Sequence, residues 1–276
     1  MRKYLVIALL PLFLYACAET NYWGNDLRVE DSETKTFSAS NIQRVEINTK
    51  NGAIETRAWN DDSIHITFEK WATGDDVEEA EDNLDDIEIL VDRNSSSGVL
   101  DIDVRRSILP GVNHGCNVFV NLPTSIALDL ETTNGAIVVL NSENDLECST
   151  SNGVITIQDT KGDAELRTSN GIITVDNHHG NLNARTSNGV ISADVVLPRQ
   201  GDCILKTSNG PITLSVPDSS SAMVEASTSN GKIEIHDLSV SVIKMEKAEF
   251  KGKMGSGRGN IDLQTSNGRI LITSGS

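Results

Sequence analysis

The sequence predicts an all-β fold, a single-stranded β-solenoid of about eighteen-residue turns, and three observations predict it. The first is a repeated tetrapeptide. Thr-Ser-Asn-Gly begins at Thr150, Thr168, Thr186, Thr207, Thr228 and Thr265, with near-copies at Thr132-Thr133-Asn134-Gly135 and Thr49-Lys50-Asn51-Gly52. Its Asn residues (Asn134, Asn152, Asn170, Asn188, Asn209, Asn230, Asn267) are spaced by eighteen residues three times, by twenty-one twice and then by thirty-seven. Each is followed by a glycine: Gly135, Gly153, Gly171, Gly189, Gly210, Gly231 and Gly268.

The second observation is the purity of the columns. Three residues after each of those Asn stands Ile137, Ile155, Ile173, Ile191, Ile212, Ile233 or Ile270. Four before stand Leu130, Cys148, Leu166, Ala184, Leu205, Ala226 and Leu263. The third is alternation, with polar residues filling the intervening positions on both sides of Asn-Gly. Each repeat therefore supplies two strands with one buried face, joined by a turn. Asn-Gly suits that turn because both residues tolerate positive φ. The same signal also favours a hairpin, so an antiparallel meander or sandwich is the alternative. A meander has no reason to repeat one residue in one column, whereas stacked turns bring equivalent residues together. Seven or eight turns at about 4.8 Å each give a rod of about 35–40 Å.

The chain opens with a basic Met1-Arg2-Lys3 and an apolar run to Ala16, too short to span a bilayer, so residues 1–16 read as a secretory signal. It ends Leu14-Tyr15-Ala16-Cys17, which resembles the bacterial lipoprotein box. That resemblance implies cleavage before Cys17 and lipidation of Cys17. Ala18 after it resembles the class sorted to the outer membrane of a Gram-negative bacterium. Several acyl chains anchor stably where one does not. Residues 17–39 are polar and read as a tether.

Residues 40–275 read as the solenoid. Its first part, 40–125, comprises a first turn around Asn51-Gly52 and an elaborated cap, since a solenoid core needs closing at its ends. Within the cap, 64–68, 87–91, 100–104 and 118–122 are strand-like. Val77, Ala80 and Leu84 share a helical stripe with Asp75 or Asp76 as N-cap. Residues 126–275 hold the regular repeats, interrupted by an extra stretch, Leu238 to Gly259. Its Gly- and Lys-rich segment lacks a Gly-Lys-Ser/Thr and reads as a wide loop between strands, not a phosphate cradle.

Thr-Ser-Asn-Gly-x-Ile repeated through the C-terminal half, the run Val118 to Pro123 leading into Leu128 to Gly135, and Gly255-x-Gly-x-Gly before Ile261 to Ile272 together resemble the bacterial putative-adhesin domain, a family of unknown function built from β-strand repeats. The likeness covers roughly residues 40 to 275. It implies a β-solenoid in a secreted or envelope-anchored protein.

The formal charge is −17, with five His counted as neutral. Such a surface repels nucleic acid, which excludes direct DNA or RNA binding as a reading. Aromatic residues make up only 4% of the chain, leaving few side chains to stack on sugars. Cys148 and Cys203 fall in inward columns three turns apart, about 14 Å by strand spacing, too far for a disulfide. Cys116 has no assignable partner.

Candidate chemistry is sparse. Five residues before successive Asn stand Asp129, Glu147 and Glu165, a surface column that could bind Ca²⁺ or act as an acid/base pair. Arg167, Arg185 and Lys206 run alongside and favour a solvated, charge-balanced face. His178-His179 read as exposed turn residues, since two His without a third ligand rarely hold a metal. No cofactor, metal site or catalytic set is expected. The leading reading is a lipid-anchored, non-enzymatic envelope protein presenting its solenoid for adhesion or interaction with a glycan or protein. An accessory component of envelope-stress signalling and a polysaccharide-acting enzyme are the alternatives.

Overall fold

The computed structural model describes residues 27–94, 96–106 and 113–275. The expected signal segment, Cys17 and the tether up to residue 26 lie outside them. The N-terminal part contains β1 (Leu27–Ser38), β2 (Arg44–Asn51), β3 (Ile54–Trp59), β4 (Ser63–Gly74), helix α1 (Val77–Asp85), β5 (Ile87–Asn94), β6 (Val99–Arg106) and β7 (His114–Pro123). The regular repeats follow as strand pairs: β8 (Ala127–Asn134) with β9 (Ile137–Leu140), β10 (Leu146–Asn152) with β11 (Ile155–Lys161), and β12 (Ala164–Asn170) with β13 (Ile173–His179). Next come β14 (Leu182–Asn188) with β15 (Ile191–Val196), β16 (Asp202–Asn209) with β17 (Ile212–Val216), and β18 (Ala222–Asn230) with β19 (Ile233–His236). The chain ends with β20 (Ser241–Met245), β21 (Glu249–Lys253), β22 (Gly259–Asn267) and β23 (Ile270–Ser274).

Strands before Asn-Gly and strands after it segregate into two sheets. The eleven-stranded sheet runs β1-β4-β7-β3-β9-β11-β13-β15-β17-β23-β19; the twelve-stranded sheet runs β20-β21-β18-β22-β16-β14-β12-β10-β8-β2-β6-β5. Neighbouring regular strands are parallel and in register, Ile155 opposite both Ile137 and Ile173, and Asn152 opposite both Asn134 and Asn170. The fold is therefore the all-β solenoid, not the antiparallel meander. Its core lies between the sheets, where every member of the Ile column is buried. Nine rungs separated by about 4.8 Å make a stack about 38 Å long.

The Thr-x-Asn-Gly corner is what makes rungs stack. Asn152 Nδ2 donates to Asn134 Oδ1 at 2.9 Å, and the ladder continues unbroken from Asn51 through Asn134, Asn152, Asn170, Asn188, Asn209 and Asn267 to Asn230. From Thr132 onward each Thr of the motif turns its hydroxyl inward and donates to the Gly carbonyl of the neighbouring rung, as Thr168 Oγ1 does to Gly153 O at 3.2 Å. Glycine is required for close approach: a Cβ on Gly171 would lie 1.8 Å from Gly153 O. This corrects the expected role of positive φ. None of these Asn has it, and of the corner glycines only Gly52 and Gly210 do, at 153° and 155°. Left-handed non-Gly residues sit instead at the opposite corner, at Asn141, Asp159 and Asn177, residue types whose short polar side chains tolerate that region.

The rungs do not stack in chain order. The first, β2/β3, lies between β6/β7 and β8/β9, while the last, β22/β23, lies between β16/β17 and β18/β19. The solenoid thus does not start at Asn51; the cap contributes a further rung outside it. Nor is 238–259 a simple loop: β20 and β21 form an antiparallel hairpin continuing from β18. The expected tether also ends earlier than residue 39. Leu27–Ser38 pairs antiparallel with β4 along its whole length, and Val29 and Phe37 pack on the core. Its alternation was masked by charged residues on a strand with one exposed face. At this end α1 is capped by Asp76, whose side chain accepts from Glu79 N, and it buries Ala80 and Leu84.

Gly171→Ala places a methyl group against backbone and should lower unfolding free energy by about 1–3 kcal/mol or more. Ser169→Ala, at an exposed position, should change it by less than about 0.5 kcal/mol. Urea melts of both variants check this.

Candidate functional site

The expected surface column exists in register. Asp129, Glu147 and Glu165 occupy neighbouring parallel strands, with Glu46 opposite Asp129 and Asn183 opposite Glu165. The solenoid places every such residue outward because its neighbours on either side along the strand point into the core. Arg167 bridges two members, bonding Glu147 at 3.2 Å and also Glu165. Lys206 meets Asp262 at 2.8 Å, and Arg44 approaches Asp129 at 4.0 Å. Partial burial raises the Asp129 carboxyl above its ordinary range, against the opposing pull of Arg44. The column is thus an ion-paired outer face. Among the described residues, no group of three or more His, Cys, Asp or Glu could hold a metal ion.

A shallow groove of about 310 Å³ runs beside this column, lined in part by Arg44, Glu147, Glu165, Asp145, Asp163 and Asn181. The last three form a second corner ladder that sequence reading missed. Asp145 Oδ1 accepts from Asp163 N at 2.9 Å, and Asn181 Nδ2 donates to Asp163 Oδ1 at 2.8 Å. Their eighteen-residue spacing was the available signal. These acids serve the turn, so the groove's charge is partly committed to structure.

His178 does not behave as an exposed turn residue. It is fully buried, while His179 stays exposed. His178 Nδ1 lies 2.9 Å from Thr160 Oγ1, and its Nε2 lies 3.1 Å from Asn181 O. One inward position of the second corner is occupied by Thr160 and His178 in register, which places the imidazole in the core. Burial pushes its pKa below the ordinary value. Cys116, Cys148 and Cys203 are all buried free thiols, and burial raises Cys116 and Cys203 to about 12. Such thiols are inert at neutral pH. The outward threonines Thr156 and Thr174 stand side by side on the eleven-stranded sheet, flanked by Val138 and Ser192.

Residues 144–273 match the family model described as Toastrack DUF4097. The match spans most of the regular rungs and the C-terminal elements, and over these residues it agrees with the resemblance to a β-strand-repeat domain of unknown function. None of the curated proteins matches the chain. Several solved structures are similar. A putative cell adhesion protein from Clostridium sporogenes is 12% identical, with 89% of this chain and 100% of that chain covered and a TM-score of 0.35. A putative adhesin from Bacteroides fragilis is 10% identical, with 88% and 97% covered and a TM-score of 0.41. A putative lipid binding protein from Parabacteroides distasonis is 12% identical, with 89% and 97% covered and a TM-score of 0.34.

His178 supplies a pH test. A His whose folded pKa is depressed binds fewer protons folded than unfolded, so its contribution is full above the unfolded value near 6.5 and is lost as pH falls from there through the lower folded value. The loss from this one group cannot exceed about 1.4 kcal/mol per pH unit. Thermal melts between neutral and mildly acidic pH should show a steeper decline for the native chain than for His178→Gln.

Proposed function

We propose that this chain is a non-enzymatic protein of the cell envelope, anchored by lipid at Cys17 and presenting its solenoid as a stiff interaction surface for a glycan or protein ligand. The observation that supports the reading is where residues 1–26 enter the rod. Residues 1–26 lead into β1, the outermost strand of the eleven-stranded sheet at the helix-capped end. A lipid on Cys17 would therefore hold one end of the rod and leave its length accessible.

Two further features support an interaction role over catalysis. The carboxylates a hydrolase would need, Glu147 and Glu165, are bridged by Arg167, which commits them to an ion-paired outer face. The buried thiols are likewise unsuited to nucleophilic work. The outer membrane of a Gram-negative bacterium is the expected address.

Cys17→Ser should move the protein from the membrane fraction to the soluble fraction without altering its melting temperature. Retention of the variant on membranes would sink the anchor. Saturable binding of the chain from Ala18 onward to fractionated envelope glycan or protein would then identify the ligand class.

A further inference from the structure

The two ends of the rod are finished differently. At the helical end α1 packs against β4 and β1 and closes the core. At the other end the twelve-stranded sheet runs two strands past β18, through β21 to β20, while the eleven-stranded sheet stops at β19. Val242 and Met245 lie opposite the buried Gly252 and Phe250, so they extend the core-facing side of the sheet beyond its covering partner. They are left 58% and 54% exposed, and Ile243 at the bulge between them is 59% exposed. β20 is an edge strand with a neighbour on one side only, the kind of edge that pairs with another chain unless it is protected.

Charge indicates what covers it. Residues 241–258 carry five basic and two acidic side chains in a protein of net charge −17. Acidic side chains are concentrated at the opposite end: residues 75–92 hold ten of them and no Lys or Arg. That segment comprises α1 and most of β5, and β5 is the other edge of the same sheet. β5 carries its own partly exposed apolar run, Ile89-Leu90-Val91, between the exposed acids Glu88 and Asp92. In the chain from Ala18 onward the N-terminal segment cannot reach β20: residues 18–26 extend to about 32 Å at most, and β1 lies beyond the far side of a stack about 38 Å long.

We propose that copies of this chain join end to end, the β20 edge of one docking on the β5 edge of the next. Apolar strips meet apolar strips, lysines face carboxylates, and the twelve-stranded sheet continues from copy to copy. The contact is heterologous and joins opposite ends of the rod along its length, so successive copies extend a linear chain. The proposal stands independently of the lipid anchor.

Sedimentation velocity of the soluble chain from Ala18 onward tests it. Species larger than a monomer should grow with concentration through the micromolar range, and should shrink when salt is raised from about 0.05 to about 0.5 M. Two charge-reversal variants at exposed positions decide the interface. Lys247→Glu with Lys253→Glu, or Glu88→Lys with Asp92→Lys, should each weaken self-association at least about tenfold while melting as the native chain does. Mixing the two variants should restore association between them, because each now carries the charge the other needs. Ile243→Asp should abolish association in either background. A chain that stays monomeric throughout this range overturns the proposal. So does failure of the mixed variants to associate while the native chain does. Monomeric protein whose tip instead binds vesicles of anionic phospholipid, with binding lost in Lys247→Glu/Lys253→Glu, would assign the hairpin to a membrane surface and also overturn it.

Discussion

Everything in this molecule depends on the close approach of successive rungs at the Asn-Gly corner. A glycine carbonyl accepts the Thr hydroxyl of the next rung, and the next glycine packs where a Cβ would collide with that same oxygen. The Asn ladder alongside fixes register, since a slip of one residue would break each side-chain bond and expose the Ile column. Each bond alone contributes only about 0.5–1.5 kcal/mol, but seven in line act on one alignment. Three of the four motif residues thus have a stacking role. Ser is exposed, and nothing in the structure explains its recurrence.

That constraint governs what the surface can be. Outward side chains inherit the register of the core, so like charges are stacked one rung apart and must be neutralised by neighbours. Arg167 bridging Glu147 and Glu165 is the local consequence, and the Asp145, Asp163 and Asn181 ladder is the same solution at the opposite corner. The ends escape the rule because they lack a neighbour on one side. They are where antiparallel strands, the helix and the basic hairpin appear.

The strand columns, the parallel register and the N-capped helix were legible in the sequence because they recur or carry a local signature: Ile155 predicts Ile173, and the pair Asp75-Asp76 predicts a cap at the start of α1, which Asp76 provides. The order of the rungs was not. Every rung presents the same columns, so the sequence of residues 259–274 is satisfied equally between β16/β17 and β18/β19 or beyond them; only the thirty-seven-residue gap hints at the detour. β1 was hidden because Asp31, Glu33 and Lys35 interrupt its apolar alternation. His178 was misplaced because its burial comes from the second corner, whose period the Asn-Gly motif overshadows. For the candidate site, the column of Asp129, Glu147 and Glu165 was readable, while the groove beside it depended on which turn residues converge across rungs.

Intercalation of the first and last rungs is the central claim about how the rod is held together, and amide hydrogen exchange tests it directly. Residues 259–274 pair on both sides, with β16/β17 and with β18/β19. Their amides should therefore exchange as slowly as those of 202–216, despite lying at the end of the chain. Fast exchange confined to the last rung, with residues 222–236 protected, would show a rod stacked in chain order and would contradict the account.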